Sequence, residues 1–206
     1  MALVLHDQSD DISEHLDRIH SALQARGLSA NHAIHTGPLI RRESDYRWMG
    51  LRARRSIFRV LVDFVRTADM AQRTWVFNKH ELRDADQLVS AMTRELGAWI
   101  RSRTAYFPTW DRVVIYYDNG QKEVTNLVNG VFNSHLTNVE VRRVLPSDYS
   151  LFQAADLCCT LALLSQKIKT IGLSKSERDF FSTAKDSAER ALKKGYFKTL
   201  ERKGFR

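Results

Sequence analysis

One long apolar run constrains the fold of this chain more than any other segment. Residues 151–166, LFQAADLCCTLALLSQ, are rich in Leu and Ala and contain neither Gly nor Pro, which favours a helix. From residue 151 to residue 164 the polar side chains are Gln153, Asp156 and Thr160. Their spacings place them on one narrow stripe, and the apolar remainder predicts a buried helix.

The carboxylate of Asp156 is the residue that most directly indicates chemistry. A charge in a buried helix is costly unless it is paired, so Asp156 needs a cation, a hydrogen-bond donor or a metal ion. If the partner is a core arginine, Asp156 has only a structural role. If the partner is a metal ion, Asp156 has a functional role.

The charge balance favours an anionic partner. The 206 residues include 32 Lys and Arg against 24 Asp and Glu, a net charge of +8. The polyanion that such proteins usually bind is nucleic acid, although an ordinary basic protein has the same balance. The length suits one domain with a core, or one domain with a small appendage.

Cysteine use and the N-terminus predict a cytoplasmic protein. Cys158 and Cys159 are adjacent, so they provide neither a disulfide framework nor a zinc site, and a reducing compartment is expected. The opening residues MALVLHD lack the basic and long apolar regions of a signal peptide. No apolar run in the sequence reaches membrane-spanning length, so no membrane partner is expected.

Strands alternate with helices over residues 2–165, which predicts an α/β sheet with helices on its faces. Strands are predicted at residues 2–6, 73–78, 113–117 and 138–145. A first helix is predicted to start after Ser9 or Asp10, and further helices are predicted at about 44–69, 81–103 and 151–166. Residues 31–40 are predicted to be extended, with Gly37-Pro38 as a breaker. We predict an α/β domain over residues 1–170 and a basic helical extension over residues 171–206.

The strand at residues 113–117, VVIYY, places a second carboxylate. Five consecutive β-formers are typical of a central strand buried on both faces. Asp118-Asn119-Gly120 follow, and the helical spacing of the next apolar residues favours a strand–turn–helix unit over a hairpin. In open α/β sheets ligands bind outside the carboxyl ends of strands, which makes Asp118 a candidate. Its alternative role is to cap the next helix.

Asp118 and Asp156 together suggest a divalent-metal site in a basic protein. Mg²⁺ takes carboxylate oxygens and completes its shell with water and phosphate, and paired metals stabilise both oxygens of a phosphodiester displacement. Candidate phosphate contacts are Arg41, Arg42, Arg52 and Arg55, for which a solvated helix face is the alternative. Residues interpreted as structural are His32 and His35, which lack a third ligand, and Trp48, Trp75, Trp99 and Trp110, which are expected in the core.

Three motifs together resemble one known family. They are Ser150-Leu-Phe-Gln-Ala-Ala-Asp156-Leu, the strand VVIYYD that ends in Asp118, and Arg52-x-x-Arg55-x-Ile-Phe. This arrangement resembles the bacterial and phage domain-of-unknown-function 3800 family over roughly residues 2–168. The fold of that family is similar to ribonuclease H and retroviral integrase. The resemblance therefore implies a ribonuclease H-like mixed sheet flanked by helices.

The resemblance implies a metal-dependent nuclease or a close relative that hydrolyses phosphodiester bonds in nucleic acid. Asp118 and Asp156 would hold Mg²⁺ or Mn²⁺, and Gln153 would orient the site. The family usually opens with an Asp-Glu-Ser-Gly strand that supplies the first metal carboxylate, and this motif does not occur here; Asp7 is the nearest substitute by position. Either the start is missing, or another acid substitutes, or the chain is an inactive nucleic-acid-binding or protein-interaction module related to phage or defence.

Overall fold

Helices and short strands alternate along the chain. The structure is a computed structural model that describes residues 1–78, 81–117 and 122–205. In chain order the elements are β1 (Ala2–Leu5), α1 (Ser13–Gln24), α2 (Thr36–Arg41), α3 (Leu51–Thr67), β2 (Ala71–Thr74), α4 (Ala85–Arg101), β3 (Val113–Tyr117), α5 (Lys122–His135), β4 (Val139–Arg143), α6 (Ser150–Thr170), α7 (Lys175–Phe181), α8 (Ala188–Ala191) and α9 (Phe197–Lys203). The predicted mixture of α and β structure is therefore confirmed.

These elements form two compact units, one of Met1–Val76 with Pro146–Arg206 and one of Phe77–Leu145. The sequence predicted a boundary at residue 170, and the structure divides the chain elsewhere. Phe180, Phe181 and Leu192 are buried in the same cluster as side chains of α3 and α6. The C-terminal helices thus complete the core of the first unit, because their few apolar residues all point into it. Within the described ranges, no helix has the length and apolar character needed to cross a membrane.

The first unit is built around α6. Its small sheet pairs β1 with β2 in antiparallel register, with Ala2 opposite Thr74, and α6 packs against both strands and against α3. Ile57, Phe58 and Leu61 of α3 recur at helical spacing and are buried against it. The prediction that α6 is buried all round was wrong, because Leu163 is 49% exposed on the side that no neighbour covers.

The segment before α3 differs from its prediction. Residues 36–41 form a helix rather than extended chain, because Pro38 lies in the first turn, where its missing N–H has no intrahelical partner to lose. The long helix predicted from Ser44 begins instead at Leu51. Ser44 takes a left-handed conformation, with φ of 51°, which a right-handed helix does not accommodate.

The second unit holds the strand, helix and second strand that the sequence predicted over residues 113–145, and the predicted turn at Asp118-Asn119-Gly120 lies outside the described residues. Strands β3 and β4 are parallel, with Val113 opposite Val139, and α5, the helix between them in sequence, packs on α4. The prediction of a central strand was wrong: every residue of β3 is only half-buried, and in the described part of the chain β3 pairs with β4 alone. One face of β3 instead carries Tyr116, over which the Arg142 guanidinium lies.

Gly130, in the interior of α5, is the basis for a stability prediction. A Cβ added at this position meets no atom within 4 Å. Gly130→Ala is expected to raise the free energy of unfolding by about 1 kcal/mol, because glycine gives the unfolded chain more conformational freedom to lose. Urea unfolding followed by circular dichroism measures the change.

Gly97, in α4, is the matched control. A Cβ there would lie 3.3 Å from Nη1 of Arg101, whose guanidinium contacts Nε2 of His135 at 2.9 Å. Gly97→Ala is therefore expected to give no gain. An equal gain from both substitutions would contradict the described packing of α4 on α5.

Candidate functional site

Asp156 lies near the start of α6, and its partner is a backbone amide. Its carboxylate is half-buried, and Oδ2 accepts a hydrogen bond of 2.6 Å from the N–H of Thr36, the first residue of α2. Among the described residues Asp156 forms no ion pair. The sequence predicted a cation, a hydrogen-bond donor or a metal ion as the partner of Asp156. The structure contains the hydrogen-bond donor, and among the described residues no arginine contacts the carboxylate directly.

Two residues close to Asp156 in the fold or along α6 each carry a buried oxygen atom without a hydrogen-bond partner in the described part of the chain. One is Oε1 of Gln153, which is 5% exposed and lies one helical turn before Asp156. The other is Oγ1 of Thr36, which is fully buried. Buried polar atoms in folded proteins almost always find a partner. An oxygen-coordinated ion or an ordered water would satisfy both atoms.

The Arg41 guanidinium folds back over the start of α2. A Cβ on Gly37 would lie 3.2 Å from Nη1 of Arg41, so the guanidinium packs closely on the backbone at this glycine. Arg41 forms an ion pair with Glu43, with Nε and Oε1 2.9 Å apart. The hydrogen bond to Glu43 raises the pKa of Arg41 most, and the negative charges of Glu177 and Asp156 raise it further. Asp156 is thus near a cation that is already paired.

A buried tyrosine fixes the segment that precedes α2. The hydroxyl of Tyr46 accepts the His35 N–H at 3.2 Å and contacts Nε2 of His32 at 2.8 Å. Burial raises the pKa of Tyr46 to about 12. Burial also lowers the pKa of His32, and the Asp45 carboxylate 3.9 Å away only partly opposes this. These contacts give the His32 side chain a structural role, whereas His35 contributes its backbone amide and is exposed.

The other predicted metal ligands are not brought together by the described structure. Asp118 lies outside the described residues; it follows Tyr117, the last residue of β3. Asp7 closes the turn after β1, where Oδ1 accepts the Ser9 N–H at 2.9 Å, and this bond lowers the pKa of Asp7. Within residues 1–78, 81–117 and 122–205, no three His, Cys, Asp or Glu side chains are grouped as metal ligands.

The four candidate arginines have different surroundings. Arg42 donates from Nε to the carbonyl of Arg47 at 2.8 Å. Arg52 is exposed and has no hydrogen bond or ion pair in the described part of the chain. Arg55 donates to three backbone carbonyls at the end of α7, at 2.6 to 2.9 Å, which gives it a structural role. Of the four, Arg52 is therefore the most available to a ligand.

The comparisons with known proteins found no match to any family model, curated protein or solved structure. The family resemblance in the sequence therefore remains a prediction. Thr36, whose backbone amide binds the Asp156 carboxylate, was not among the site residues that the sequence predicted.

Proposed function

We propose that this chain is a metal-dependent nuclease-like protein, with Asp156 as a ligand of Mg²⁺ or Mn²⁺. The observation that carries this proposal is a pair of buried oxygens, Gln153 Oε1 and Thr36 Oγ1, that have no hydrogen-bond partner in the described part of the chain. Gln153 lies one helical turn before Asp156, and the Thr36 amide binds the Asp156 carboxylate. These two buried oxygens are the hard oxygen donors that both ions prefer. The donor set around Asp156 thus fits such an ion.

Asp118 is the second metal carboxylate that the sequence predicts, and it lies outside the described residues. The support for it is its position in the sequence, one residue after a strand that runs parallel to β4 and is followed by a helix. Carboxyl ends of parallel strands are where α/β proteins bind ligands. Asp7 is a weaker candidate for a further ligand, since Oδ1 already accepts an amide hydrogen bond.

The chain's own residues would prepare the site for hydrolysis. The Thr36 amide orients the Asp156 carboxylate and leaves Oδ1 for an ion, and Gln153 contributes a buried amide oxygen. Exposed arginines such as Arg52 hold the phosphate backbone. A bound ion would polarise the phosphodiester and lower the pKa of the attacking water. Water would add to phosphorus as one P–O ester bond breaks, and a proton from that water would pass to the leaving oxygen.

Asp156→Asn is the sharpest test, because asparagine keeps an oxygen acceptor for the Thr36 amide while removing the charge. Cleavage of labelled single-stranded and double-stranded DNA and RNA is measured with Mn²⁺ and with Mg²⁺. Asp156→Asn and Asp118→Asn are each expected to lower the cleavage rate by about a hundredfold. Asp179→Asn, at an exposed position of α7, is the matched control and is expected to cut like wild type.

Equal cleavage by wild type and Asp156→Asn would contradict the proposal, as would the absence of metal-dependent cleavage of all four substrates. Circular dichroism spectra of the variants confirm that loss of cleavage is not loss of folding. Metal affinity gives a second readout, since Mn²⁺ binding by wild type is expected to weaken in Asp156→Asn.

Nucleic-acid binding without hydrolysis is the second candidate function. It is favoured by the net charge of +8 and the unpaired, exposed Arg52. Here binding persists in EDTA and weakens as salt rises, because each phosphate contact releases counterions. Metal-dependent binding would argue against it.

A further inference from the structure

Trp48 is the most exposed large apolar side chain in the described structure, with 86% of its surface accessible. The expectation that the tryptophans lie in the core holds for Trp75 and Trp99, which are buried, and fails for Trp48 and Trp110, which are exposed. A tryptophan ring contributes a large area when it is buried. Folding of this chain does not use that area, so it remains available to a ligand.

The backbone that presents Trp48 is fixed on both sides. Before it, Tyr46 is 1% exposed, and its carbonyl accepts the Met49 N–H at 3.1 Å. After it, Gly50 immediately precedes α3, and its carbonyl accepts the Arg54 N–H at 3.2 Å. The indole is therefore held on a preformed turn, which reduces the entropy that binding costs.

Arg42, Arg47 and Arg52 lie within six residues of Trp48 in the sequence. Arg42 bonds to the carbonyl of Arg47 at 2.8 Å, next to the Trp48 peptide. Arg47 and Arg52 are exposed, and neither has a carboxylate partner among the described residues. Arg52 stands in the first turn of α3, where a cation is unfavourable to the helix dipole, so helix stability does not explain it.

Two carboxylates lie in the same segment and offset only part of this positive charge. Glu43 is paired with Arg41, with Nε and Oε1 2.9 Å apart. Asp45 is exposed, with Oδ2 3.9 Å from Nδ1 of His32. The surface of Trp48, Arg42, Arg47 and Arg52, called the Trp48 surface below, therefore combines an open aromatic ring with a net positive charge.

We propose that the Trp48 surface binds single-stranded nucleic acid, with a base stacked on the indole and the arginines on the flanking phosphates. An unpaired base offers a free face to an aromatic ring, whereas the bases of a duplex already stack on one another. An acidic peptide or an anionic membrane would match the charge but has no flat ring to stack. The inference rests on the proposed function, for which it names the substrate class.

The test measures binding of the full chain, in EDTA, to fluorescent single-stranded DNA and RNA of about 15 nucleotides. Trp48→Ala is expected to weaken binding by about tenfold or more, because stacking on one aromatic ring is lost. Trp48→Phe keeps a ring and is expected to recover part of the affinity. Ile171→Ala changes another exposed apolar residue, 82% accessible, and is the matched control.

The arginines have a separate readout. Arg47→Gln is expected to weaken binding and to lower the slope of log affinity against log salt by about one, because one phosphate contact is lost. Arg59→Gln, on the exposed side of α3, is its control and should leave binding unchanged.

Three results would overturn the proposal. They are wild-type affinity in Trp48→Ala, tighter binding of a duplex of equal length, and Trp48-dependent binding to phosphatidylserine vesicles instead. Because EDTA removes the metal, this outcome is separate from the cleavage test. Binding that depends on Trp48 without any cleavage would refute only the proposed nuclease activity. Cleavage that is unchanged in Trp48→Ala, with wild-type affinity for single strands, would refute only the proposed binding role of the Trp48 surface.

Discussion

Replacing Lys167 with methionine is expected to lower the free energy of unfolding by about 3–5 kcal/mol. Nζ of Lys167 donates to both carboxylate oxygens of Glu177 at 2.7 Å, and the Glu177 side chain is 5% exposed. Without the ammonium group a buried carboxylate keeps only its hydrogen bond from the Ser174 N–H. Urea unfolding at pH 7 measures the loss.

Lys169→Met is the matched control for this prediction. Lys169 lies two residues further along α6 and is exposed, so the same substitution is expected to change stability by less than about 0.5 kcal/mol. The double variant Lys167→Met/Glu177→Gln is expected to recover most of the loss, because glutamine preserves the capping box with Ser174 without a charge. Equal stability of Lys167→Met and Lys169→Met would contradict the described pair.

The same pair sets a pH dependence. Burial raises the pKa of Glu177, but the hydrogen bonds from Lys167 and Ser174 outweigh burial, so the pKa lies below its ordinary value of 4.5. The stabilisation is therefore complete above pH 4.5 and is lost as pH falls through the lowered pKa. In Lys167→Met no ammonium group opposes protonation of the Glu177 carboxylate. The difference in the free energy of unfolding between wild type and Lys167→Met is therefore expected to become smaller as the pH falls.

Local signals predicted the elements of the second unit well. A run of β-formers predicted β3 at the limits that it has in the structure, and helical spacing predicted that a helix, α5, follows it. The burial of β3 was not predictable in the same way. Burial depends on which elements cover a strand, and an apolar run is equally compatible with a half-covered position.

The first unit shows where local reasoning fails. Gly37-Pro38 was interpreted as a breaker, yet it stands in the first turn of α2, because proline disrupts a helix interior and not its start. The C-terminal residues 174–206 are mostly polar, and their role in the core depends on a few aromatic side chains such as Phe180 and Phe181. These two pack with Phe58, which is more than 120 residues away in the sequence, so no local pattern indicates the contact.

Only part of the candidate site could be predicted from the sequence. The stripe of Gln153 and Asp156 on an apolar helix correctly indicated a carboxylate that needs a partner. The partner itself, the Thr36 amide, lies 120 residues away and belongs to a helix that the sequence did not predict. Backbone amides carry no sequence signature, so a donor of this kind is found only in the folded chain. Trp48 was misplaced for a related reason: residue type favours the core, whereas tertiary context left the indole in solvent.

Arg55→Met is expected to lower the free energy of unfolding by about 2–4 kcal/mol, through the loss of three charge-assisted hydrogen bonds. The Arg55 guanidinium donates to the carbonyls of Phe180, Asp179 and Ser182, which end α7 and would otherwise lack donors. Arg55→Lys keeps the charge but cannot reach all three acceptors, so an intermediate loss is expected. Thermal and urea unfolding measure both variants.

Arg59→Met is the control, because Arg59 lies one turn further along α3, is exposed and has no hydrogen bond in the described part of the chain. Its effect on stability is expected to stay within about 0.5 kcal/mol. The sequence predicted that Arg55 contacts nucleic acid, and the two roles give opposite results. If Arg55→Met unfolds like wild type but binds nucleic acid more weakly, the structural role is wrong. If Arg55→Met unfolds at a lower urea concentration and the folded protein still binds nucleic acid as tightly as wild type, the structural role is correct. The hydrogen bonds from Arg55 of α3 to the end of α7 then explain this arginine.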